Sequence, residues 1–168
     1  MAVIPVVKMS IYPGQGILSN HEIDRILKPI PFFRGTFSAD TIPAISSSCN
    51  CIHAFIVNTA SQNKTGEHWV GLVINEQKDC YYFDSFGNQI LNISILHSLR
   101  KMGIVTYKYN TKEIQSISSS SCGYFCLAFI LAWRLKIPYD AFIALFSEEK
   151  QENNEAVCYK FIKQTINS

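Results

Sequence analysis

The sequence predicts an α+β fold, a mixed β-sheet packed on a long buried helix, and three observations predict it. Short β-rich runs gather in the middle of the 168-residue chain. Helical patterns lie at both ends. The stretch CGYFCLAFILAWR (122–134) is apolar almost all the way round, the mark of a helix buried on every side. A chain of this length reads as one domain, residues 1–168, long enough to bury a core.

The elements follow in chain order. The opening MAVIPVVKMSIYPGQG is mildly apolar but lacks a basic start, a long apolar centre and a small-residue cleavage site, so it does not read as a secretory signal. In SNHEIDRIL, Ser19 stands three residues before Glu22, a capping box that starts a helix over 20–28; Pro29 and Pro31 end it. HAFIVNT (53–59), HWVGLVIN (68–75) and CYYFDSF (80–86) read as strands. NQILNISILHSLRKM spaces its apolar residues as an amphipathic helix does. GIVTYKYN (103–110) returns to strand, and after 122–134 further helices are expected over 138–147 and 152–166.

Composition excludes several classes. With 48% apolar and 17% charged residues the chain is globular, not disordered. A net charge of +2 without a dense Lys/Arg run does not point to nucleic acid. No stretch reaches the roughly 18 continuous apolar residues of a membrane span. The six cysteines (49, 51, 80, 122, 126 and 158) are expected to be reduced thiols of a cytosolic or nuclear protein, which leaves the sequons at Asn63 and Asn92 unused.

The candidate chemistry begins at Cys122, which stands between a serine-rich run (116–121), expected to be a flexible lip, and the buried helix. A cysteine that opens a helix meets unpaired backbone N–H groups and the positive end of the helix dipole, and both favour the thiolate. Gly123 beside it would leave room for a substrate carbonyl. A small core residue is the plain alternative for such a cysteine.

A thiolate nucleophile needs a base, and the base needs an orienting group. Of the four histidines, His21 and His97 lie on helices and are expected at the surface. His53 shares CNCIH with Cys49 and Cys51, but three donors on one short segment lack a fourth ligand, so no metal site is expected. His68 opens a strand. A hairpin centred on Glu76 would set it directly opposite Asp84, with Cβ atoms within roughly 5.5 Å. Asp84 could then accept the ring's Nδ1–H and fix the tautomer, although a surface cross-strand pair would look the same in sequence. Gln115, seven residues before Cys122, could donate to an oxyanion beside the Cys122 N–H, or be a solvated surface amide.

GEHWVGLVINEQKDCYYFDSFG, followed by a glutamine seven residues before CGYFC, resembles the adenovirus maturation protease (adenain) family and its virophage- and Polinton-type relatives. The ubiquitin-like-protein proteases are more distant kin. FFRGTF (32–37) and AFIVNTASQNKTGEHW extend the likeness to about residues 30–134, and the order His, Asp, Gln, Cys excludes the papain order. The resemblance implies the adenain fold, with Cys122 as nucleophile, His68 as general base and then acid, Asp84 as orienter, and Gln115 with the Cys122 amide as oxyanion donors. It implies Trp69 packed against the histidine as a shield and Gly123 as the glycine after the nucleophile. Cys126, one helical turn on, is expected in the core.

The activity so implied is a monomeric cysteine endopeptidase that needs no cofactor for its chemistry and works through a thioester. Its substrates would be viral capsid or core precursors, cut near glycine, in the infected cell's cytoplasm or nucleus and in the virion. The resemblance also brings an activating peptide or DNA as partners. Against a disulfide-tethered peptide stands GIVTYKYNTKE, which has no cysteine; against DNA stands the mild charge. A deconjugating isopeptidase for a ubiquitin-like modifier is the alternative enzyme. A non-enzymatic binding protein is the alternative without catalysis.

Overall fold

Alternation along the strands decides which side chains meet which helix. The protein is described by a computed structural model covering residues 16–46 and 49–167; the opening segment through residue 15 lies outside the described residues. Among the described residues ten elements follow one another: α1 (Asn20–Leu27), β1 (Phe33–Ser38), β2 (His53–Asn58), β3 (Trp69–Ile74), β4 (Cys80–Phe83), α2 (Ile93–Lys101), β5 (Lys108–Tyr109), α3 (Cys122–Arg134), α4 (Tyr139–Ile143) and α5 (Gln151–Ile166).

The strands form one mixed sheet in the order β1-β2-β3-β4-β5. β1 and β2 are parallel, β2–β3 and β3–β4 antiparallel, and β4 and β5 parallel. Ala54, Ile56, Val73 and Phe83 face a core built around α3. Their strand neighbours Phe55, Val57, Val70, Leu72 and Tyr82 face a second core with Ile95 and Leu99 of α2. The expected α+β architecture is present, with helices on both faces of the sheet rather than on one.

α3 is apolar all round because it is enclosed all round: residues 122–132 are buried, between the sheet and α5. It crosses β3 where β3 has no side chain. A Cβ on Gly71 would stand 2.5 Å from Phe129 Cδ1, so the glycine lets Phe129 reach the sheet and stack on Phe83, centroids 5.1 Å apart. Burying an aromatic side chain of this kind contributes about 1.5–3 kcal/mol.

The Ser19–Glu22 capping box closes α1 from both sides. Two expectations were too long. The strand expected at 103–110 is only the pair Lys108–Tyr109, because Gly103 turns at φ 80° and Ile104 drops into the α2-side core. The amphipathic helix starts at Ile93, where the Asn92 side chain caps it. β1, not read as a strand from sequence, is an edge strand whose Thr36 N–H and hydroxyl are both bound by Asp24.

The cysteines need a correction as well. Cys49 and Cys51 form a disulfide instead of staying reduced; Cys80, Cys122, Cys126 and Cys158 are free. The pair and His53 have donor atoms within 4.8 Å of one another. The disulfide occupies both sulfurs, however, and Arg34 Nε–H donates to His53 Nδ1 at 3.0 Å. Burial, then the charges of Arg34 and Lys78, press the His53 pKa down. Among the described residues no helix is long and apolar enough to cross a membrane.

Candidate active site

His68 lies one residue before β3 and Asp84 one residue after β4, so the β3–β4 hairpin brings both to the same end of the sheet. The ladder pairs Gly71 with Phe83 and Ile74 with Cys80, two residues out of the expected register and centred on Gln77. The turn sets this. Asn75 Oδ1 accepts the N–H groups of Gln77 and Asp79, and Lys78 takes a left-handed φ of 69°. A two-residue shift preserves the face, because side chains alternate with period two. His68 therefore meets Asp84 diagonally, and Nε2 lies 2.8 Å from Asp84 Oδ1.

The ring nitrogen differs from expectation. Nε2, not Nδ1, takes the carboxylate, which leaves Nδ1 for the Cys122 thiol, the ring's other hydrogen-bond partner. Asp84 is held in turn. Its Oδ1 also accepts the Phe86 N–H at 2.9 Å, and buried Asn110 grips its main chain at both N–H (3.1 Å) and C=O (2.6 Å).

Cys122 is the first residue of α3, and the Ser121 side chain makes no capping bond there, so the helix N-terminus keeps donors for other use. Burial alone would raise the thiol's pKa. The His68 hydrogen bond, the Trp69 backbone N–H, the charge of His68 and the Gly123 backbone N–H outweigh it and bring the thiol below its ordinary value. Burial alone would lower His68; the bonds to Asp84 and Cys122, with their charges, lift it to about 9. Both shifts favour the thiolate–imidazolium form of the pair. The other free cysteines go the opposite way: burial pushes Cys80 up to about 12 and takes Cys126 and Cys158 well above the ordinary thiol value.

Gln115 is 1% exposed. Its Oε1 accepts the Ser85 hydroxyl at 2.6 Å, and Nε2 donates one hydrogen to Ser119 C=O at 2.8 Å. An amide nitrogen has two hydrogens, so one remains for the cleft. That cleft has a volume of about 470 Å³ and is lined by His68, Trp69, Phe86, Gln115, Ser119 and Cys122, among others. A neighbouring depression of about 350 Å³, beside Thr36, Phe37 and Lys64, shares Asn20, Asn58, Gly66 and Trp69 with it.

Two expected roles change. Trp69 does not cover the imidazole. Being next to His68 in sequence, it points to the other face, joins the α3 core and donates its indole N–H to Leu18 C=O at 3.0 Å. It still lines the cleft. Phe86 shields the histidine instead, with ring centroids 4.9 Å apart. Gly123 is buried, and a Cβ there would stand 3.1 Å from Leu18 and 3.3 Å from Trp69. Its small size serves close packing against these two residues, both of which line the cleft. Sequence reasoning also missed Ser85, Asn110 and Ser119. Only Phe86 left a signal: it lies two residues after Asp84, on the same alternating face.

Comparison with known proteins sets this site in context. A sequence model described as adenovirus endoprotease matches residues 33–143, a span that includes His68, Asp84, Gln115 and Cys122. The protease of porcine adenovirus A serotype 3 is 30% identical over 118 residues, covering 62% of this chain and 57% of its own. The protease of human adenovirus B serotype 3 is 30% identical over 131 residues, covering 68% and 62%. The chain thus spans 57% to 62% of the length of these relatives. The crystal structure of an ASFV protease superposes with a TM-score of 0.56 at 18% identity, covering 86% of this chain and 67% of that one. The central domain of an uncharacterized Legionella pneumophila protein superposes at 0.54 and 14% identity, covering 90% and 97%. At these identities the last two likenesses are of fold alone.

Proposed function

The chain belongs to the adenovirus endoprotease family, and from that premise we propose that it is a cysteine endopeptidase using His68, Asp84, Gln115 and Cys122. One observation carries the assignment: a single imidazole is shared between a buried carboxylate and a thiol whose pKa is lowered.

The thiolate adds to the scissile carbonyl, and the carbonyl electron pair moves onto oxygen. Gln115 Nε2–H and the Cys122 N–H receive that oxyanion. His68 gives its Nδ1 proton to the departing amine as the C–N bond breaks, which leaves a thioester and a neutral ring. Water, deprotonated by the same nitrogen, then attacks the thioester; the sulfur leaves as thiolate beside the re-formed imidazolium, and the acid product gives its proton to solvent. Asp84 keeps Nε2–H pinned throughout, so the ring turns the same nitrogen to sulfur, amine and water in succession.

The substrates are viral capsid or core precursors, cut near glycine, in the infected cell and the virion. The test offers purified protein three probes: internally quenched peptides with glycine near the cleaved bond, candidate capsid precursors, and ubiquitin-like modifiers fused to a fluorophore. Cleavage of the first two, trapping of an acyl-enzyme by mass spectrometry, and loss of both in Cys122→Ala are expected. Turnover of only the modifier fusions would replace this reading with deconjugation. No turnover, together with no His68-dependent alkylation of Cys122, would remove the enzyme reading altogether.

A further inference from the structure

The serine-rich run is a bracket, not a flexible lip. Ser119 N–H donates to Ser116 C=O at 2.9 Å, and the Ser116 and Ser118 hydroxyls lie 3.1 Å apart. Ser121 Oγ lies 3.1 Å from the Tyr159 hydroxyl of α5. At the centre stands Ser119, whose two oxygens serve opposite ends of the oxyanion site. Its carbonyl accepts Gln115 Nε2–H at 2.8 Å. Its hydroxyl accepts the Ser121 N–H at 3.1 Å, at the residue that caps the nucleophile's helix. The same hydroxyl donates to Glu155 Oε1 of α5.

α5 reinforces this contact along one face. Gln151 Nε2 donates to Glu113 C=O at 3.1 Å, and buried Asn154 donates to Ile114 C=O at 2.8 Å. Residues 151, 154, 155 and 159 recur at helical spacing. They hold the segment from Glu113 to Ser121 at four points. This helix lies beyond the 33–143 family match.

We propose that Ser119, fixed by Glu155 of α5, is the positioning residue that sets the spacing between the two oxyanion donors, the Gln115 side-chain amide and the Cys122 backbone N–H. The inference rests on the endopeptidase reading and deepens it. Few other residues could fill the position. The side chain must be short enough to bond a backbone N–H two residues on, and must hold both a donor and an acceptor. Alanine keeps the carbonyl but loses both hydroxyl bonds, so the carbonyl is free to drift and Gln115 drifts with it. Stabilisation of an oxyanion depends on donors already in place, and a misplacement of about 1 Å costs up to roughly 100-fold in rate.

The experiment compares two reactions of the same sulfur in the full chain. Alkylation by iodoacetamide needs the thiolate but forms no oxyanion; cleavage of an internally quenched glycine-containing peptide needs both. Ser119→Ala and Glu155→Ala are expected to lower kcat about 10- to 100-fold with KM nearly unchanged, while the His68-dependent alkylation rate stays within twofold. The double variant should be no slower than either single one, since both break one linkage. Ser119→Thr and Glu155→Gln, which keep the hydroxyl and the acceptor, should restore most of the rate. If wild-type protein cleaves and Ser119→Ala cleaves as fast, the positioning role is wrong. If alkylation and cleavage fall together, Ser119 is merely structural and the proposal fails. If wild-type protein cleaves no probe, the endopeptidase reading itself fails, and this inference goes with it.

Discussion

The two sides of the cleft are built by different means. His68 and Asp84 project from the ends of two paired strands, and the ladder between β3 and β4 sets their relation. Gln115 and Cys122 are joined by a loop with no ladder, and side-chain bonds from Ser85, Ser119 and Glu155 set theirs. On the strand side, position follows from backbone pairing that many residues share. On the loop side it depends on a few side chains of Ser85, Ser119 and α5, beside the Ile114 and Gln115 N–H bonds to Ser85 C=O, so single side-chain substitutions there should disturb the proposed catalysis without unfolding the protein.

The largest effect should come from the ring that touches both sides. His68→Ala removes the proposed base and acid and the main support of the thiolate, and should cut kcat/KM by about 10⁴-fold or more. Iodoacetamide labelling of Cys122 should slow as well, because the thiol returns toward its unassisted state. Normal labelling in this variant would mean that the helix terminus and the Trp69 and Gly123 amides suffice to ionise the sulfur. Gln115→Ala comes next: losing one of the two proposed oxyanion donors should lower kcat by about 10²–10³-fold, with labelling intact. A parallel fall of labelling and turnover would erase the contrast between the two sides.

Legibility in the sequence divides along the same line. Period-two alternation was enough to put His68 and Asp84 on one face, and it survived a two-residue error in register. The partner of that error was invisible, since the turn depends on the Asn75 side chain and a left-handed Lys78. Alternation also predicts that Trp69 faces away from its neighbour's ring; family likeness suggested otherwise, and strand geometry prevailed. On the loop side, Gln115 could be proposed from its distance to Cys122, but not held in place. Ser85 lies 30 residues away and Glu155 36 residues from Ser119, contacts that no local pattern encodes. The same gap hid the edge strand β1 and its closure by Asp24.

Asp84→Asn tests the strand side alone. The amide keeps an oxygen for Nε2–H and for the Phe86 N–H but removes the charge that helps to lift His68. In the wild-type protein the thiolate–imidazolium pair exists above the lowered Cys122 value and is lost as pH rises through about 9. The same imidazolium contributes stability that is complete below 6.5 and disappears through about 9. In the variant the alkaline limb of kcat/KM should move to lower pH, with a fall of about 10–100-fold at the optimum. An unmoved alkaline limb would show that Cys122, not Asp84, holds the proton on the ring.

The smallest effect on activity should come from breaking the sheet's own packing away from the cleft. In Gly71→Ala the new methyl meets the Phe129 ring at 2.5 Å, and neither β3, paired on both sides, nor α3, buried along its first eleven residues, can retreat freely. Overpacking of this kind costs about 1–3 kcal/mol, readable as a lower denaturant midpoint with an unchanged slope. Gly71 lies three residues along the strand from His68, but register is a property of the whole ladder and a strained contact at one rung does not slide it. At temperatures where the variant remains folded, kcat/KM should therefore stay within about twofold of wild type. A tenfold loss of turnover in folded Gly71→Ala would mean that β3 transmits strain to the imidazole, and the strand side would then be no more tolerant than the loop.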